Sequence, residues 1–385
     1  MPSGRNARRR DGGYDVIQVG VAQNCIPPMA LTTAMAVGAE ADGFDSLWYP
    51  DHLMGWFATS IWTPENSSLT AVMPSPHLYF DPMVVIGVLG QATSRALLGT
   101  AVTDPLRRPP AELARTFVTL SHATEGRAVL GIGAGERENT EPYGVPYDRQ
   151  VSKLEEALHV IRLLWESDGP VDFPGRFWKL RRAVFDLMPY DGRFPPIWVG
   201  AHGPRMLGIT GSYADGWLPS LPMTAADYGE RLSVVRRAAE EAGRDPQAIV
   251  AGFHIYILPA VDHETAHRML ASPLAGALAL VGSSWQWEHS GRTHPLGEGF
   301  EGLRDYVPEW YSAEEMQAAV AKYDPEVFHD FLAHGTAEEI VAAIEPYIDA
   351  GMTHPVLANL APLAGLEYVE PAREIVREVA RMLRS

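Results

Sequence analysis

Short apolar runs of strand length alternate with longer runs of helical period along most of the chain. The strand-type runs are 16–22, 44–49, 97–103, 128–132, 196–200, 216–219, 249–258 and 355–359. Several are almost wholly apolar, the pattern of parallel strands covered on both faces. Helical periodicity marks 29–41, 82–93, 111–123, 151–165, 204–212, 225–241 and 337–350, and a last helix near 370–383 follows the final strand. Eight strands alternating with helices predict a closed (β/α)8 TIM barrel with insertions. A doubly wound open sheet has the same local pattern and is the alternative.

Two stretches break the alternation. Residues 173–188 are aromatic and partly alternating, which predicts an excursion hairpin near 170–190. Residues 273–334 carry Gly, Pro and Trp in irregular order between the seventh and eighth strands, which predicts an insertion at the barrel mouth, placed to act as a lid or substrate wall. Without a repeat or a low-complexity linker, the expectation is one domain over 14–385 behind a flexible basic tail over 1–13. The tail holds Arg5, Arg8, Arg9 and Arg10 but no apolar segment behind them, so it does not read as a secretory signal.

Composition narrows the class. Hydrophobic residues are 46% and charged residues 21% of 385, as in an ordinary globular enzyme. A formal net charge of -17 argues against wrapping nucleic acid, which requires a basic surface. The lone cysteine, Cys25, excludes an intrachain disulfide and a cysteine-based metal cluster, and it reads as a small apolar residue near the end of strand one more readily than as a nucleophile. A cytoplasmic location without a membrane span is expected.

In a TIM barrel the chemistry lies at the C-terminal ends of the strands. Strand two runs into Asp51-His52, with Trp56 beyond; His52 could exchange a proton near neutral pH, or Asp51 could simply cap a loop. Strand three ends in Ala101-Val102-Thr103-Asp104, followed by Arg107 and Arg108, which are either a site for an anionic ligand tail or solvated surface. Strand four runs into Gly131-x-Gly133-x-Gly135-Glu136-x-x-Asn139. The glycines allow close approach of a flat ligand and place Glu136 at the mouth as a candidate general acid; an ordinary glycine turn with a solvated Glu is the other reading. The spacing mimics a dinucleotide fingerprint but lies on the wrong βα unit, and the slot for its third glycine holds another residue. Strand five leads to Ala201-His202-Gly203-Pro204-Arg205, either an anion site at a helix N-terminus or a plain helix start.

Taken in order, these segments resemble the luciferase-like superfamily, and within it the branch that uses the deazaflavin coenzyme F420. The stretches 135–145 and 201–207, and Tyr213-Ala214-Asp215-Gly216-Trp217, are similar to the phthiodiolone ketoreductases of mycobacteria. The likeness covers about 15–260 and resumes near the last strand; within 273–334 it is confined to 294–297, so the substrate need not be shared. The resemblance implies a coenzyme F420-dependent oxidoreductase passing hydride to a ketone, with His52, Glu136 and Trp56 around the reacting centre. It implies cofactor contacts from Asp51, Ala101, Val102, Asp104, Asn139, Ala201, His202, Gly203 and Pro204, a non-proline cis peptide at Ala101-Val102, and no metal. The partner expected is a small, apolar carbonyl compound; self-association as a homodimer stays open. Two alternatives stand beside this reading: an FMN-dependent monooxygenase on the same fold, and a non-catalytic barrel that binds a flavin or a partner.

Overall fold

The computed structural model describes residues 17–329 and 331–385. The expected tail over 1–13, and the first residue of the strand expected over 16–22, lie outside them.

Eight parallel strands close into a barrel. They are β1 (Gly20–Ala22), β2 (Ser46–Tyr49), β3 (Leu97–Thr100), β4 (Ala128–Ile132), β7 (Ile197–Val199), β8 (Gly216–Trp217), β9 (Val250–Pro259) and β11 (His354–Asn359). Neighbours follow chain order from β1 to β8, β8 pairs with β9, and β11 joins β9 to β1, so no barrel edge is left open. This is the (β/α)8 fold that the alternation predicts, and the open-sheet alternative falls. The helices that cover it are α1 (Met29–Ala41), α2 (Pro82–Ala92), α3 (Pro110–Ala123), α4 (Gln150–Glu166), α5 (Pro204–Tyr213), α6 (Ala225–Glu241), α7 (His263–Leu270), α12 (Ala337–Asp349) and α14 (Val369–Met382). Strand residues such as Leu47, Leu98, Leu130, Ile197 and Val199 are fully buried against this layer. That burial on the outer face, as well as the inner, explains the unbroken apolar runs.

The barrel interior is plugged by Trp48, Val129, Trp198, Leu218 and Val356. The two indole rings lie 4.9 Å apart, and His354 meets Trp198 edge-on at 5.0 Å. Ser46 joins the polar ends: its hydroxyl accepts from Trp48 Nε1 at 2.7 Å and bonds His354 Nε2 at 2.7 Å. A side chain at Gly99 would strike the Trp48 ring at 2.5 Å, so the glycine makes room for the plug. A filled interior leaves the upper rim as the place for a site.

The excursion is a hairpin of β5 (Val171–Pro174) and β6 (Lys179–Ala183). The insertion is less irregular than its sequence suggests. It contains α8 (Pro273–Ala279), α9 (Ser284–His289), α10 (Ala313–Val320) and α11 (Glu326–His329), and ends in a strand, β10 (Ala333–Gly335), that pairs with Ile257–Pro259 at the top of β9. A three-residue Ala-His-Gly strand has no apolar run to reveal it, and the sequence places 333 and 334 in a loop. The insertion has its own core, including Leu274, Leu280, Trp287, Tyr306 and Met316. That core packs on Ala58, Ile61 and Trp62 of the β2–α2 loop, which sets the insertion over the barrel rim. A short helix, α13 (Ala361–Ala364), follows β11.

Candidate active site

The rim is organised first by an ionic frame. Asp51, at the end of β2, is buried; its Oδ2 accepts from the Thr103 hydroxyl at 2.6 Å and from Arg108 Nε at 3.0 Å. Arg107 Nη2 donates to the Asp51 carbonyl at 2.7 Å, while its Nε donates to Asp104 Oδ2 at 2.6 Å. The other Asp104 oxygen caps the Leu106 and Arg107 amides. Burial alone would raise the Asp51 pKa; the two guanidiniums and the Thr103 hydroxyl outweigh it and hold the carboxyl below its ordinary value. The carboxylates of Asp51 and Asp104 therefore brace the backbone that carries His52 and the end of strand three. Arg107 and Arg108, candidates for an anionic tail in the sequence, face Asp51, Asp104 and Asp81 instead.

The glycine run that begins in β4 also faces protein. A Cβ at Gly131 would meet the Thr100 carbonyl at 1.7 Å, and one at Gly133 would meet Val102 Cγ2 at 2.8 Å. These two glycines admit strand three rather than a ligand, a correction to the flat-ligand reading. The Ala101-Val102 peptide is cis, as the resemblance implies.

Above this frame, Asn139 gathers the titratable groups. Its Oδ1 accepts from the Leu53 and Met54 amides at 2.7 and 3.1 Å. Backbone amides only donate, so the Nδ2 side of the amide must face the other way. There it donates to His52 Nδ1 at 2.9 Å, and it lies 3.2 Å from both Glu136 Oε2 and Glu138 Oε1. Burial, opposed in part by Glu136, holds the His52 pKa below its ordinary value, so the ring is neutral at pH 7. A neutral ring that accepts at Nδ1 carries its proton on Nε2.

Two amide hydrogens cannot serve three acceptors, and Glu138 resolves the shortfall. It is fully buried, and its pKa is driven well above the ordinary value by burial and then by the Glu136 charge. Glu138 therefore keeps its proton and presents it to Glu136, the half-exposed member of the pair. This resembles two carboxyls sharing one proton at close range.

Aromatic rings enclose the cluster. Trp56 meets His52 edge-on at 5.4 Å, Tyr79 lies 5.5 Å from His52, and Tyr256 lies 6.3 Å from Trp56. His254, two residues before Tyr256 on β9, is held neutral by burial, its pKa lowered to about 4.

The segment Ala201–Pro204 forms a second patch on the rim. The Ala201 carbonyl accepts from Trp217 Nε1 at 2.9 Å. Gly203 is the N-cap of α5, with no side chain capping the helix and nothing within 4 Å of where its Cβ would be. His202 is kept neutral, its pKa lowered to about 3 by burial and by the nearby Arg231 charge. Arg205, by contrast, points to Glu155 and Ser152 on α4.

The sequence-predicted residues thus fall into two groups: Asp51, His52, Trp56, Ala101, Val102, Asp104, Glu136 and Asn139 around one cluster, and Ala201 to Pro204 at the α5 N-terminus. Glu138, Tyr79, His254, Tyr256 and Arg231 were not anticipated. For His254 and Tyr256 a signal existed, since alternation along the seventh strand puts both on the inner face opposite Phe253, Ile255 and Ile257. For Glu138 the only signal was a second Glu in an already selected motif.

Fold and site together define a TIM-barrel enzyme with a carboxyl–histidine cluster and an uncapped helix N-terminus on its catalytic rim. The chain belongs to the luciferase-like monooxygenase family, whose sequence profile matches residues 11–354. A phthiodiolone/phenolphthiodiolone dimycocerosates ketoreductase of Mycobacterium sp. (strain JLS) is 38% identical over 360 residues, covering 91% of this chain and 94% of that protein. An F420-dependent glucose-6-phosphate dehydrogenase of Nakamurella multipartita is 29% identical over 84% of each chain. Among solved structures, an F420-dependent secondary alcohol dehydrogenase in complex with an F420–acetone adduct matches with a TM-score of 0.73 and 25% identity, over 96% of this chain and 99% of that one.

Proposed function

We propose that this protein is a coenzyme F420-dependent oxidoreductase that exchanges a hydride between reduced deazaflavin and a ketone. The observation that carries the reading is the His52–Asn139–Glu136–Glu138 cluster on a rim whose relatives are named for F420. The residues fit such a group. Gln23 Oε1 and His202 Nδ1, just beyond strand ends, and His254 Nε2, on the inner face of β9, are buried polar atoms without a partner among the described residues. Such atoms are costly unless something satisfies them. The α5 N-terminus with Arg231 would take a phosphate.

Bound there, the deazaflavin would supply the hydride chemistry. The chain's own residues manage the proton and the substrate oxygen. His52 holds a hydrogen on Nε2, a donor that strengthens as a carbonyl oxygen gains charge. Glu136, the exposed member of the carboxyl pair, is placed to relay to that oxygen the one proton that Glu138 holds, and solvent at Glu136 then replaces it. Trp56, Tyr79 and Tyr256 keep water out and suit an apolar substrate. Asp51 and Asp104 hold the backbone in register, and Asn139 fixes the His52 tautomer.

The test is an absorbance titration with F420 and with FMN, followed by ketone turnover in two variants. F420 should bind more tightly than FMN. Glu136→Gln should keep cofactor affinity and lose roughly 10²–10⁴-fold in turnover, the usual range for general acid–base catalysis. His52→Asn should raise KM more than it lowers kcat. Tight FMN binding without F420 binding would instead make the protein a monooxygenase. Full turnover in both variants would show that the proton comes from elsewhere.

A further inference from the structure

A second cluster of titratable side chains, sharing no residue with the His52 cluster, lies at the base of the insertion. His263 and His267 stand one turn apart on α7, so they share a face. Their rings are 4.5 Å apart, with Nε2 to Nε2 at 2.9 Å. His334 on β10 completes the group, its ring 5.8 Å from His263 and 5.5 Å from His267. One ligating nitrogen from each of the three rings falls within 4.8 Å of the others.

What lies behind the rings is as informative as the rings. His263 Nδ1 meets Glu339 Oε1 at 3.1 Å, and His334 Nδ1 donates to the Leu332 carbonyl at 2.7 Å. In each ring the Nδ1 hydrogen is taken by an oxygen, which leaves Nε2 to carry the lone pair. This is the outer-shell arrangement of metal-bound histidine, where a carboxylate or carbonyl fixes the tautomer and raises ligand basicity. Glu339 is itself held, its other oxygen accepting from the Thr336 amide at 2.8 Å in the capping box of α12. Nitrogens about 2.0–2.1 Å from one zinc ion stand roughly 3.4 Å apart in a tetrahedral site. Small side-chain rotations of the exposed His263 and His267 rings toward the half-buried His334 supply that spacing.

We propose that His263, His267 and His334, backed by Glu339 and the Leu332 carbonyl, form a divalent transition-metal site of the zinc class that clamps the two ends of the 273–334 insertion together. Three imidazoles suit Zn²⁺, and also Ni²⁺ or Cu²⁺, over the hard cations that prefer oxygen. The fourth position faces solvent and takes water. The placement gives the clamp its purpose: α7 precedes the insertion, β10 closes it and α12 follows, so one ion ties together the chain on both sides of the segment that covers the rim.

The experiment uses untagged full-length protein stripped with a chelator. It is titrated with ZnCl2 by calorimetry, with Co²⁺ as a spectroscopic stand-in. One ion per chain should bind at micromolar concentration or below. His267→Asn, a change on an exposed helix face, and His334→Asn should each abolish that binding. Glu339→Gln keeps the capping box and should weaken it about 10–100-fold, the usual cost of losing an outer-shell partner. His52→Asn should leave zinc binding intact, which separates this site from the rim. Zinc should also raise Tm and slow proteolysis within 273–334 in the unaltered protein, and do neither in His267→Asn. The site is overturned by an absence of saturable binding below millimolar zinc, or by binding that survives both His267→Asn and His334→Asn. Stoichiometric binding without any change in Tm or proteolysis would overturn the clamp.

Discussion

Glu138 shows how one buried atom sets the chemistry around it. A charged carboxylate in its position would be desolvated and beside Glu136, so the proton stays on, and the folded-state pKa lies above the unfolded one. Linkage fixes the sign. The native state binds more protons than the unfolded chain between the two pKa values, so stability is full below the ordinary carboxyl pKa and falls as pH rises through the raised one. Glu138→Gln has the same shape and cannot ionise. The Tm difference, variant minus unaltered protein, should therefore grow as pH rises above 4.5 and level off once Glu138 ionises. A difference that does not change with pH would mean that Glu138 is not the residue retaining the proton. At this scale the sequence was partly readable. His52, Glu136 and Asn139 stand at strand ends in a distinctive order, whereas the Asn139 orientation that selects the His52 tautomer depends on the amides of Leu53 and Met54 from another loop.

Among the elements, α5 carries a prediction in which stability and binding move in opposite directions. Gly203 leaves its first turn uncapped, with ordinary extended φ of -77° and ψ of 156° and free space where a side chain would go. Aspartate is a preferred N-cap, and exchanging glycine for it is worth a few tenths of a kcal/mol, roughly, with a small further gain from the helix dipole. Gly203→Asp should thus raise Tm slightly. If the same amides receive a cofactor phosphate, the carboxylate fills their place and repels it, and cofactor affinity should drop at least about 10-fold, more at low salt. A rise in Tm with unchanged affinity would remove the phosphate from this helix. The segment 201–204 was legible as a helix start, and Pro204 at the first position marked it. That Arg231 of α6 stands beside it was not, because α5 and α6 are brought together by packing rather than by any local pattern.

At the scale of the whole molecule, the barrel is closed by its last helix as much as by its strands. α14 buries Ala372, Val376, Val379 and Ala380, its C-cap Leu383 is buried too, and Arg384 just beyond donates to the Gly43 carbonyl at 2.8 Å and to Asp45 at 2.9 Å. Asp45 in turn accepts from the Val19 amide at 2.8 Å, so the C-terminal turn braces the start of the first strand. Fully burying Val376, Val379 and Leu383 contributes roughly 5–9 kcal/mol at about 1.5–3 kcal/mol each, comparable with the whole stability of a typical domain. Truncation after Tyr368 should therefore abolish cooperative thermal unfolding and expose apolar surface to a dye such as ANS; a sharp transition near the full-length Tm would show that the barrel closes without this helix. None of the described helices is long and apolar enough to cross a membrane.

The sequence by itself determined the architecture, because parallel strands buried on both faces and amphipathic helices leave periodic signatures that need no partner to be read. It also placed the rim chemistry, because barrel strands end at one face and unusual residues there stand out: Asp51-His52, Glu136 to Asn139, and Ala201 to Pro204. Only the tertiary structure decided what those residues touch. Asp51 and Asp104 are occupied by Arg107 and Arg108, Gly131 and Gly133 give way to strand three, and Glu138 becomes a proton reservoir by being buried next to Glu136. The same holds for β10 and for His334, which joins His263 and His267 across the whole insertion. Charge pairing, desolvation and convergence of distant ligands are properties of positions in space, and the order of residues along the chain records them only after folding has chosen the neighbours.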